Sequence, residues 1–340
     1  MMMNHTLKNQ YNLRPGTIIS GKWHGNNYTI VKELGYGANG VVYLAKHKHT
    51  QVALKMSDNG MSITSEVNVL KSFAKVQGPQ TLGPSLLDVD DWQCKQVGPL
   101  ISFYVMEYIQ GPDFLSFLHH RGKSWTLVLF LQLLSDLEVL HENGWVFGDL
   151  KPENLIVTGP PPKIRCIDVG GTTMQGRAIK EFTEFYDRGY WGLGSRKAEP
   201  SYDLFAAAMI MINSAYPKRF KKASGGMLQL KEAIRQKPEL LKFEKAIVKA
   251  LQGHYSNAKQ MRADLLDVMV DKPSFDPSIQ PKRADSGASV NSQKNKPKAG
   301  KPLTRQTYRK KKKKSGWTEF FIIALVLGIL YALYTFNKLL

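Results

Sequence analysis

The order of hydrophobic patterns along the chain limits the folds that it can adopt. From Thr17 to Lys55, short β-branched or alternating runs are separated by turn residues, which is typical of an antiparallel sheet. A helical stripe follows at 62–75, and the run ISFYVMEYI returns to a strand pattern. Later segments have helical spacing, and ELLKFEKAIVKALQG is predicted as one helix. The sequence therefore predicts an α+β protein in two lobes. The predicted boundaries are an N-terminal extension at 1–16, a sheet lobe at 17–110 and a helical lobe at 111–270.

The positive charge of the chain is concentrated after the predicted lobes. The formal net charge is +19 at pH 7, and residues 272–316 hold 14 Lys or Arg against two Asp. Pro, Ser, Lys, Asn and Gln dominate this stretch, so it cannot bury enough apolar surface to offset the entropy lost on ordering. We therefore expect a disordered polybasic linker at 271–316.

The last segment, 317–340, has the composition of a membrane anchor. Residues 320–336 are 17 uncharged, mostly apolar residues, about 26 Å long as a helix against roughly 30 Å for a bilayer core. Six basic residues precede it, and the positive-inside rule then keeps the large N-terminal part in the cytoplasm. The two cysteines, Cys94 and Cys166, lack pairing or metal-ligand spacing, which also fits a reducing compartment. For the segment 317–340, the alternative to a membrane anchor is a buried core helix, which the preceding linker disfavours. The sequence predicts a single-pass C-terminal transmembrane helix in the cell membrane.

A glycine-rich turn lies between two predicted strands, in ELGYGANGVVYLA. Its residues follow the spacing G-x-G-x-x-G-x-V and are Gly35, Gly37, Gly40 and Val42. Glycines at this spacing let backbone amides approach phosphate oxygens without a Cβ in the way. A plain hairpin is the alternative, but a dinucleotide-binding turn is disfavoured because that turn opens a helix. We therefore predict a nucleotide-phosphate site.

Lys55 closes the following strand, in VALK, fifteen residues after Gly40. From there its amine can reach the α- and β-phosphates of a bound nucleotide. The expected ion-pair partner on the next helix is Glu66, the only acidic residue between Asp58 and Asp88. A solvated charge on the helix surface is the alternative for Glu66.

The strand YVMEYIQG is predicted to line the base of the nucleotide. The backbone groups from Glu107 to Ile109 are expected to face an adenine ring, with Met106 beside it. An ordinary core strand is the alternative, and it differs only in this use of the backbone.

The segment WVFGDLKPEN holds the residue types that phosphoryl transfer requires. This reaction needs a carboxylate to take the hydroxyl proton, a cation near the γ-phosphate and oxygen ligands for Mg²⁺. Asp149 is the candidate base, Lys151 the cation and Asn154 one metal ligand. Nineteen residues after Asp149, IRCIDVGG supplies Asp168 as the second metal ligand. The sequence therefore predicts ATP and Mg²⁺ as cofactors.

These motifs, in this order, resemble those of Hanks-type serine/threonine protein kinases over roughly residues 17–270. The linker and anchor are similar to those of membrane-tethered kinases from spore-forming Bacillus relatives. The resemblance implies a bilobal protein-kinase fold, ATP and Mg²⁺ use, Ser/Thr protein substrates and a link to sporulation. Lys151, two residues after the base, favours this family over phosphotransferases acting on antibiotics or choline. The resemblance also implies that Asp203 braces the catalytic loop through its backbone amides, and it leaves Glu199 unassigned.

Two residues depart from the H-R-D signature of this family. Phe147 replaces the His, and an aromatic ring can fill its packing role. Gly148 replaces the Arg that would bind an activation-segment phosphate, so this position offers no bidentate phosphate site. The hydroxyl residues of the segment are expected to be solvated, and these are Thr172, Thr173, Thr183 and Tyr186.

The polybasic linker offers a route for regulation. A membrane leaflet of anionic lipids contributes about 1 kcal/mol of attraction per nearby basic residue, so anionic membrane lipid is an expected partner near Arg309–Lys314. The alternative is that these residues only fix the orientation of the anchor in the membrane. The basic residues between Lys272 and Lys314 lack a base-reading pattern, which indicates nonspecific DNA as a further partner. Several chains on one DNA would favour self-association and trans-autophosphorylation. Two function classes remain: an active kinase, or a membrane-tethered pseudokinase scaffold that binds DNA or anionic lipid.

Overall fold

The computed structural model of the protein describes residues 13–37, 40–77, 82–93 and 98–270, with side chains up to residue 268. These residues belong to the first of two units into which the chain divides, Met1–Phe275. The strands are β1 (Ile18–Ser20), β2 (Asn27–Gly37), β3 (Gly40–His47), β4 (Thr50–Ser57), β5 (Leu86–Gln93), β6 (Leu100–Glu107), β7 (Trp145–Val146), β8 (Leu155–Thr158), β9 (Lys163–Cys166) and β10 (Thr173–Met174). The helices are α1 (Gly60–Gln77), α2 (Phe114–Arg121), α3 (Trp125–Glu142), α4 (Arg188–Trp191), α5 (Pro200–Ser214), α6 (Met227–Arg235), α7 (Pro238–Leu241), α8 (Glu244–Leu251) and α9 (Ala258–Val270).

Six strands form an antiparallel sheet in the order β1-β2-β3-β4-β6-β5. Alternating residues of β3 point into a core on one face of this sheet, and they are Val41, Tyr43 and Ala45. In the register of β3 with β4, Val42 lies opposite Lys55. The sheet therefore places the glycine-rich turn beside the lysine.

Helix α1 packs against the sheet through an apolar stripe. Ile63, Val67 and Leu70 recur at helical spacing and are all buried in the main core. Glu66 is on the same helix and is also buried, at 2% exposure. The helix predicted at 62–75 is thus present, and it carries a carboxylate into the interior.

Helix α5 is the centre of the helical lobe. Twelve of its fifteen residues are buried, and it contacts α3, α8 and α9. Its first turn contains Asp203, which is fully buried. The predicted α+β arrangement of a sheet lobe followed by a helical lobe is confirmed.

One helix was predicted where the structure has two. The segment 239–253 is divided because α7 ends at Leu241 and α8 begins at Glu244. The Phe243 amide donates to the Leu240 carbonyl at 2.8 Å, a tight i→i+3 bond that redirects the chain. The side chains of Leu240 and Phe243 are both buried, so tertiary packing overrides the continuous helical pattern.

The predicted linker at 271–316 and anchor at 317–340 lie outside the described residues, as does Cys94. Cys166 is fully buried, as expected of a small apolar residue. Within the described part of the chain, none of the helices has the length and apolarity needed to cross a membrane.

Candidate active site

The glycine-rich turn joins β2 to β3. Gly35 and Gly37 lie in β2, whereas Gly40 and Val42 lie in β3. Gly40 has φ of 123°, and a Cβ at this position would lie 2.2 Å from the Met56 carbonyl oxygen. This glycine is therefore required by the close approach of β4, in addition to any role in phosphate binding.

Lys55 lies between two carboxylates. Its Nζ is 2.7 Å from Glu66 Oε2 and 3.9 Å from Asp168 Oδ1. Burial alone would lower the pKa of Lys55, but the Asp168 and Glu66 charges outweigh burial and raise it. The amine therefore stays positively charged at neutral pH.

Two hydroxyls that the sequence reasoning missed also bind Glu66. The Tyr104 phenol donates to Oε2 at 2.7 Å, and the Ser62 hydroxyl donates to Oε1 at 3.3 Å. Burial and the Glu66 charge raise the pKa of Tyr104 well above its usual value, so the phenol remains a donor. The carboxylate that orients Lys55 is thus held by the sheet through Tyr104 and by its own helix through Ser62.

The catalytic loop groups Asp149, Lys151 and Asn154. The Lys151 ammonium donates to Asp149 Oδ2, and the Asn154 side-chain amide donates to the Asp149 carbonyl at 3.0 Å. Thr183 of the activation segment completes the group, because its hydroxyl donates to Asp149 Oδ1 at 3.0 Å. Thr183 was expected to be solvated, and this contact shows instead that it orients the candidate base.

Asp203 fixes the backbone of the same loop by accepting hydrogen bonds from two amides. Its carboxylate accepts from the Phe147 amide at 2.7 Å and from the Gly148 amide at 2.9 Å. His141 Nε2 lies 2.8 Å from the same carboxylate and was not anticipated. The bracing inferred from the resemblance is therefore present in the geometry.

Asp168 and Asn154 belong to two loops that a backbone hydrogen bond joins. The Ile167 amide donates to the Asn154 carbonyl at 3.0 Å, which joins the two loops. Asn154 uses its amide nitrogen on Asp149, which leaves its side-chain oxygen available, and the Asp168 side chain is 46% exposed. Carboxylate and amide oxygens are the donors that Mg²⁺ prefers, so the residues fit this ion.

The end of the predicted base-binding strand is held by contacts of Glu107 with Arg165 and Ser85. The Glu107 carboxylate accepts two bonds from Arg165 of β9, at 3.0 and 2.9 Å. The Glu107 amide donates to the Ser85 carbonyl at 2.9 Å. The use of the backbone from Glu107 to Ile109 by an adenine ring stays a prediction.

The activation segment is more buried than expected. Thr172 and Thr173 are each 1% exposed and Tyr186 is 2% exposed, so the prediction of solvated hydroxyls is wrong for these three. Lys180 donates to Ser65 of α1 at 3.0 Å. Glu199, just before α5, pairs with Arg188 and Lys197 and thus has a structural role.

Comparisons with known proteins agree with this geometry. The family described as "Protein kinase domain" matches residues 28–278. The serine/threonine-protein kinase YabT of Bacillus subtilis (strain 168) is 52% identical over 335 residues, which cover 97% of this chain and 98% of that protein. The carbon catabolite-derepressing protein kinase of Secale cereale is 31% identical over 144 residues, 38% of this chain and 27% of that protein.

A solved structure supports the fold alone. The PknI kinase domain of Mycobacterium tuberculosis has a TM-score of 0.52 and 18% identity, and the match covers 75% of this chain and 99% of that domain. With the family match and the YabT relative, the comparisons are decisive: the chain belongs to the serine/threonine protein kinases.

Proposed function

We propose that this kinase transfers the γ-phosphoryl group of Mg-ATP to protein Ser and Thr hydroxyls while tethered to the membrane. The observation that carries the catalytic part is the connection of two ion pairs, Lys55 with Glu66 and Lys151 with Asp149, to Asp168 and Asn154. Lys55 Nζ is 3.9 Å from Asp168 Oδ1, and the Asn154 side-chain amide donates to the Asp149 carbonyl at 3.0 Å. Such an arrangement supplies the charge and positioning that a loose phosphoryl-transfer transition state needs.

Each pair has a distinct part in the reaction. Asp149 accepts the proton of the acceptor hydroxyl, and Thr183 and Lys151 keep its carboxylate oriented. Lys151 then stabilises charge that develops on the transferred group, and Lys55 binds the inner phosphates. Asn154 and Asp168 would hold Mg²⁺, which would supply neutralisation of phosphate charge.

In this proposal, helix α1 is held in place without a phosphate group on the activation segment. Gly148 offers no guanidinium, yet Glu66 is held through Tyr104 and Ser62, and Lys180 links the activation segment to Ser65. These contacts are all made by unmodified side chains. From these contacts we expect kinase activity that does not depend on phosphorylation of the activation segment.

Label transfer tests the catalytic part. The full chain in neutral detergent is incubated with Mg²⁺, labelled ATP and a generic protein acceptor, beside an Asp149→Asn variant. We expect transfer to the acceptor that is at least about a hundredfold faster than in the variant, in line with removal of a catalytic base. Equal transfer would favour the scaffold alternative.

The membrane tether is supported by the composition of the last segment. Residues 320–336 are uncharged and mostly apolar, and RKKKKK precedes them. Fractionation of host cells tests this. The full chain should resist extraction by alkaline carbonate, whereas a variant without 317–340 should move to the soluble fraction. A full chain that leaves the membrane with carbonate contradicts the tether.

Regulation by DNA bound to the linker is supported by its charge. The 14 basic and two acidic residues of 272–316 suit a sequence-independent polyanion, and several chains on one DNA raise the local kinase concentration. DNA is titrated into the full chain in neutral detergent at 50 and 300 mM salt. We expect binding that weakens steeply with salt and autophosphorylation that rises with DNA. Anionic vesicles in place of DNA identify lipid as the ligand if they alone raise the activity.

A further inference from the structure

The basic excess of the catalytic part is confined to one stretch. Residues 218–249 hold ten Lys or Arg against three Glu, whereas residues 1–217 hold 20 basic and 19 acidic side chains. The stretch begins with KRFKK at 218–222, which we call the basic turn and which follows α5. Its position decides what this charge can contact.

Phe220 fastens the basic turn to the activation segment. The ring centroid of Phe220 lies 5.2 Å from that of Phe185 and 6.1 Å from that of Trp191, both edge-to-face. Such aromatic pairs add to the burial energy and fix orientation. Lys222 adds a polar contact, because its ammonium donates to the Tyr190 carbonyl at 2.5 Å. The basic turn is therefore held next to the segment that contains Thr183.

Arg219 covers the second carboxylate of the catalytic loop. This loop contains two acids, Asp149 and Glu153, and Glu153 is two residues beyond Lys151. The Arg219 guanidinium pairs with Glu153 and also donates to the Tyr186 hydroxyl at 3.1 Å. An exposed carboxylate without a partner so close to the base would attract basic residues that flank the acceptor hydroxyl of a protein substrate. Here a guanidinium neutralises it.

Two further cations of the basic turn remain open to solvent. Lys218 and Lys221 are exposed, and across the described residues neither forms an ion pair with an acidic side chain. Glu184 is the exposed acid of the neighbouring 3-10 turn, Glu184–Tyr186, so acids are outnumbered on this surface. The basic turn therefore carries an excess of positive charge beside the activation segment.

We propose that the protein substrates present acidic segments, with Asp, Glu or phosphoserine near the accepted Ser or Thr, and that the basic turn binds these anions. Carboxylate and phosphate groups are the partners that Lys and Arg recognise with charge-assisted hydrogen bonds. Basic acceptor segments are disfavoured by repulsion from Lys218 and Lys221 and find Glu153 already paired. This inference rests on the protein-kinase activity assigned above.

Matched peptides test the preference. Three peptides share one acceptor Ser and differ only in the flanking residues: Asp and Glu, Asn and Gln, or Lys and Arg. For the full chain we expect kcat/KM to be about tenfold higher for the acidic than for the neutral peptide at 50 mM salt, since two exposed charge contacts contribute about threefold each. The preference should shrink towards 300 mM salt, where the charges are screened. Equal use of the acidic and neutral peptides overturns the proposal.

Variants separate the contribution of each cation. Lys218→Gln with Lys221→Gln should reduce the acidic-to-neutral ratio by about three- to tenfold. The control, Lys71→Gln with Lys259→Gln, removes two exposed lysines elsewhere and should leave the ratio unchanged. Arg219→Ala should raise use of the basic peptide severalfold, and Glu153→Gln in the same chain should abolish that gain.

Two outcomes would contradict the proposal in different ways. If the double variant Lys218→Gln with Lys221→Gln keeps the acidic-to-neutral ratio of kcat/KM but the full chain loses DNA binding, the basic turn binds nucleic acid and the substrate assignment is overturned. No transfer to any peptide or to the chain itself, beyond the Asp149→Asn level, would remove the proposed function and this inference with it.

Discussion

The phenol of Tyr104 donates a 2.7 Å hydrogen bond to the carboxylate of Glu66 in the interior of the sheet lobe. Both residues are at most 2% exposed, so the bond is shielded from water. Glu66 in turn binds Lys55 through the same oxygen. A residue of β6 therefore helps to hold the helix whose carboxylate pairs with Lys55.

Tyr104→Phe should lower catalysis more than stability. Removal of a hydrogen bond to a charged group costs about 1.5–3 kcal/mol, so we expect kcat/KM for ATP to fall about tenfold or more. The measurement is steady-state kinetics with ATP varied. Tyr43→Phe, which changes a buried phenol elsewhere in the sheet, should leave the kinetics unchanged. Identical kinetics for Tyr104→Phe and the parent chain would deny Tyr104 this role.

Thr183→Val should lower kcat with little change in the KM for ATP. The Thr183 hydroxyl donates to Asp149 at 3.0 Å, and valine keeps the shape but loses the donor. We expect about a tenfold to hundredfold loss, because a general base works only when it is oriented. Thr183→Ser retains the hydroxyl and serves as the control in the same assay. Equal rates for the Val and Ser variants would contradict this interpretation.

Asp203→Ala should unfold the catalytic loop. The change leaves the buried amides of Phe147 and Gly148 without their acceptor and His141 without its partner. Unsatisfied buried groups cost about 1–3 kcal/mol each, so we expect a loss of about 3–5 kcal/mol in the free energy of unfolding and no activity. Urea titration followed by fluorescence measures this. Asp203→Asn keeps one acceptor oxygen and should be intermediate.

Asp136 should make stability depend on pH between about 4 and 6. Burial raises the pKa of this α3 carboxyl to about 6, against the opposing effect of Lys163 and Arg165. The folded protein then binds the proton more tightly than the unfolded chain, so stability falls as pH rises through this window.

Asp136→Asn removes this dependence. At pH 7 the variant should be more stable by up to about 3 kcal/mol, the equivalent of the two-unit rise, and its urea midpoint should vary less between pH 4.5 and 6.5. The exposed Asp267→Asn change is the matched control. A variant that is less stable than the parent at pH 7 would show that this carboxylate is favourable when charged.

The parts of the candidate site that the sequence locates are carried by short local patterns. The glycine-rich turn, Lys55 and the catalytic loop each place their groups within a few residues, so spacing alone locates them. Tyr104, Thr183 and His141 were missed because each reaches its partner over 34 to 62 residues. Nothing in their local sequence marks them, since a tyrosine in a strand or a threonine in a loop is usually structural.

The errors have the same origin. The segment at 239–253 has a continuous helical pattern, but packing of Leu240 and Phe243 divides it. Thr172 and Thr173 are polar residues of the activation segment, and only the fold shows that they are covered. Local patterns thus determine which elements form, whereas contacts distant in sequence determine how they end and what they touch.

Gly148 has φ of 85°, and a Cβ there would lie 2.5 Å from the carbonyl oxygen of Gly171. A side chain of any kind at this position would have to displace the turn that follows Asp168. An arginine placed at residue 148 alone is therefore expected to disturb the loop that contains Asp168 before it confers control by phosphate, so such control would require matching changes in both loops.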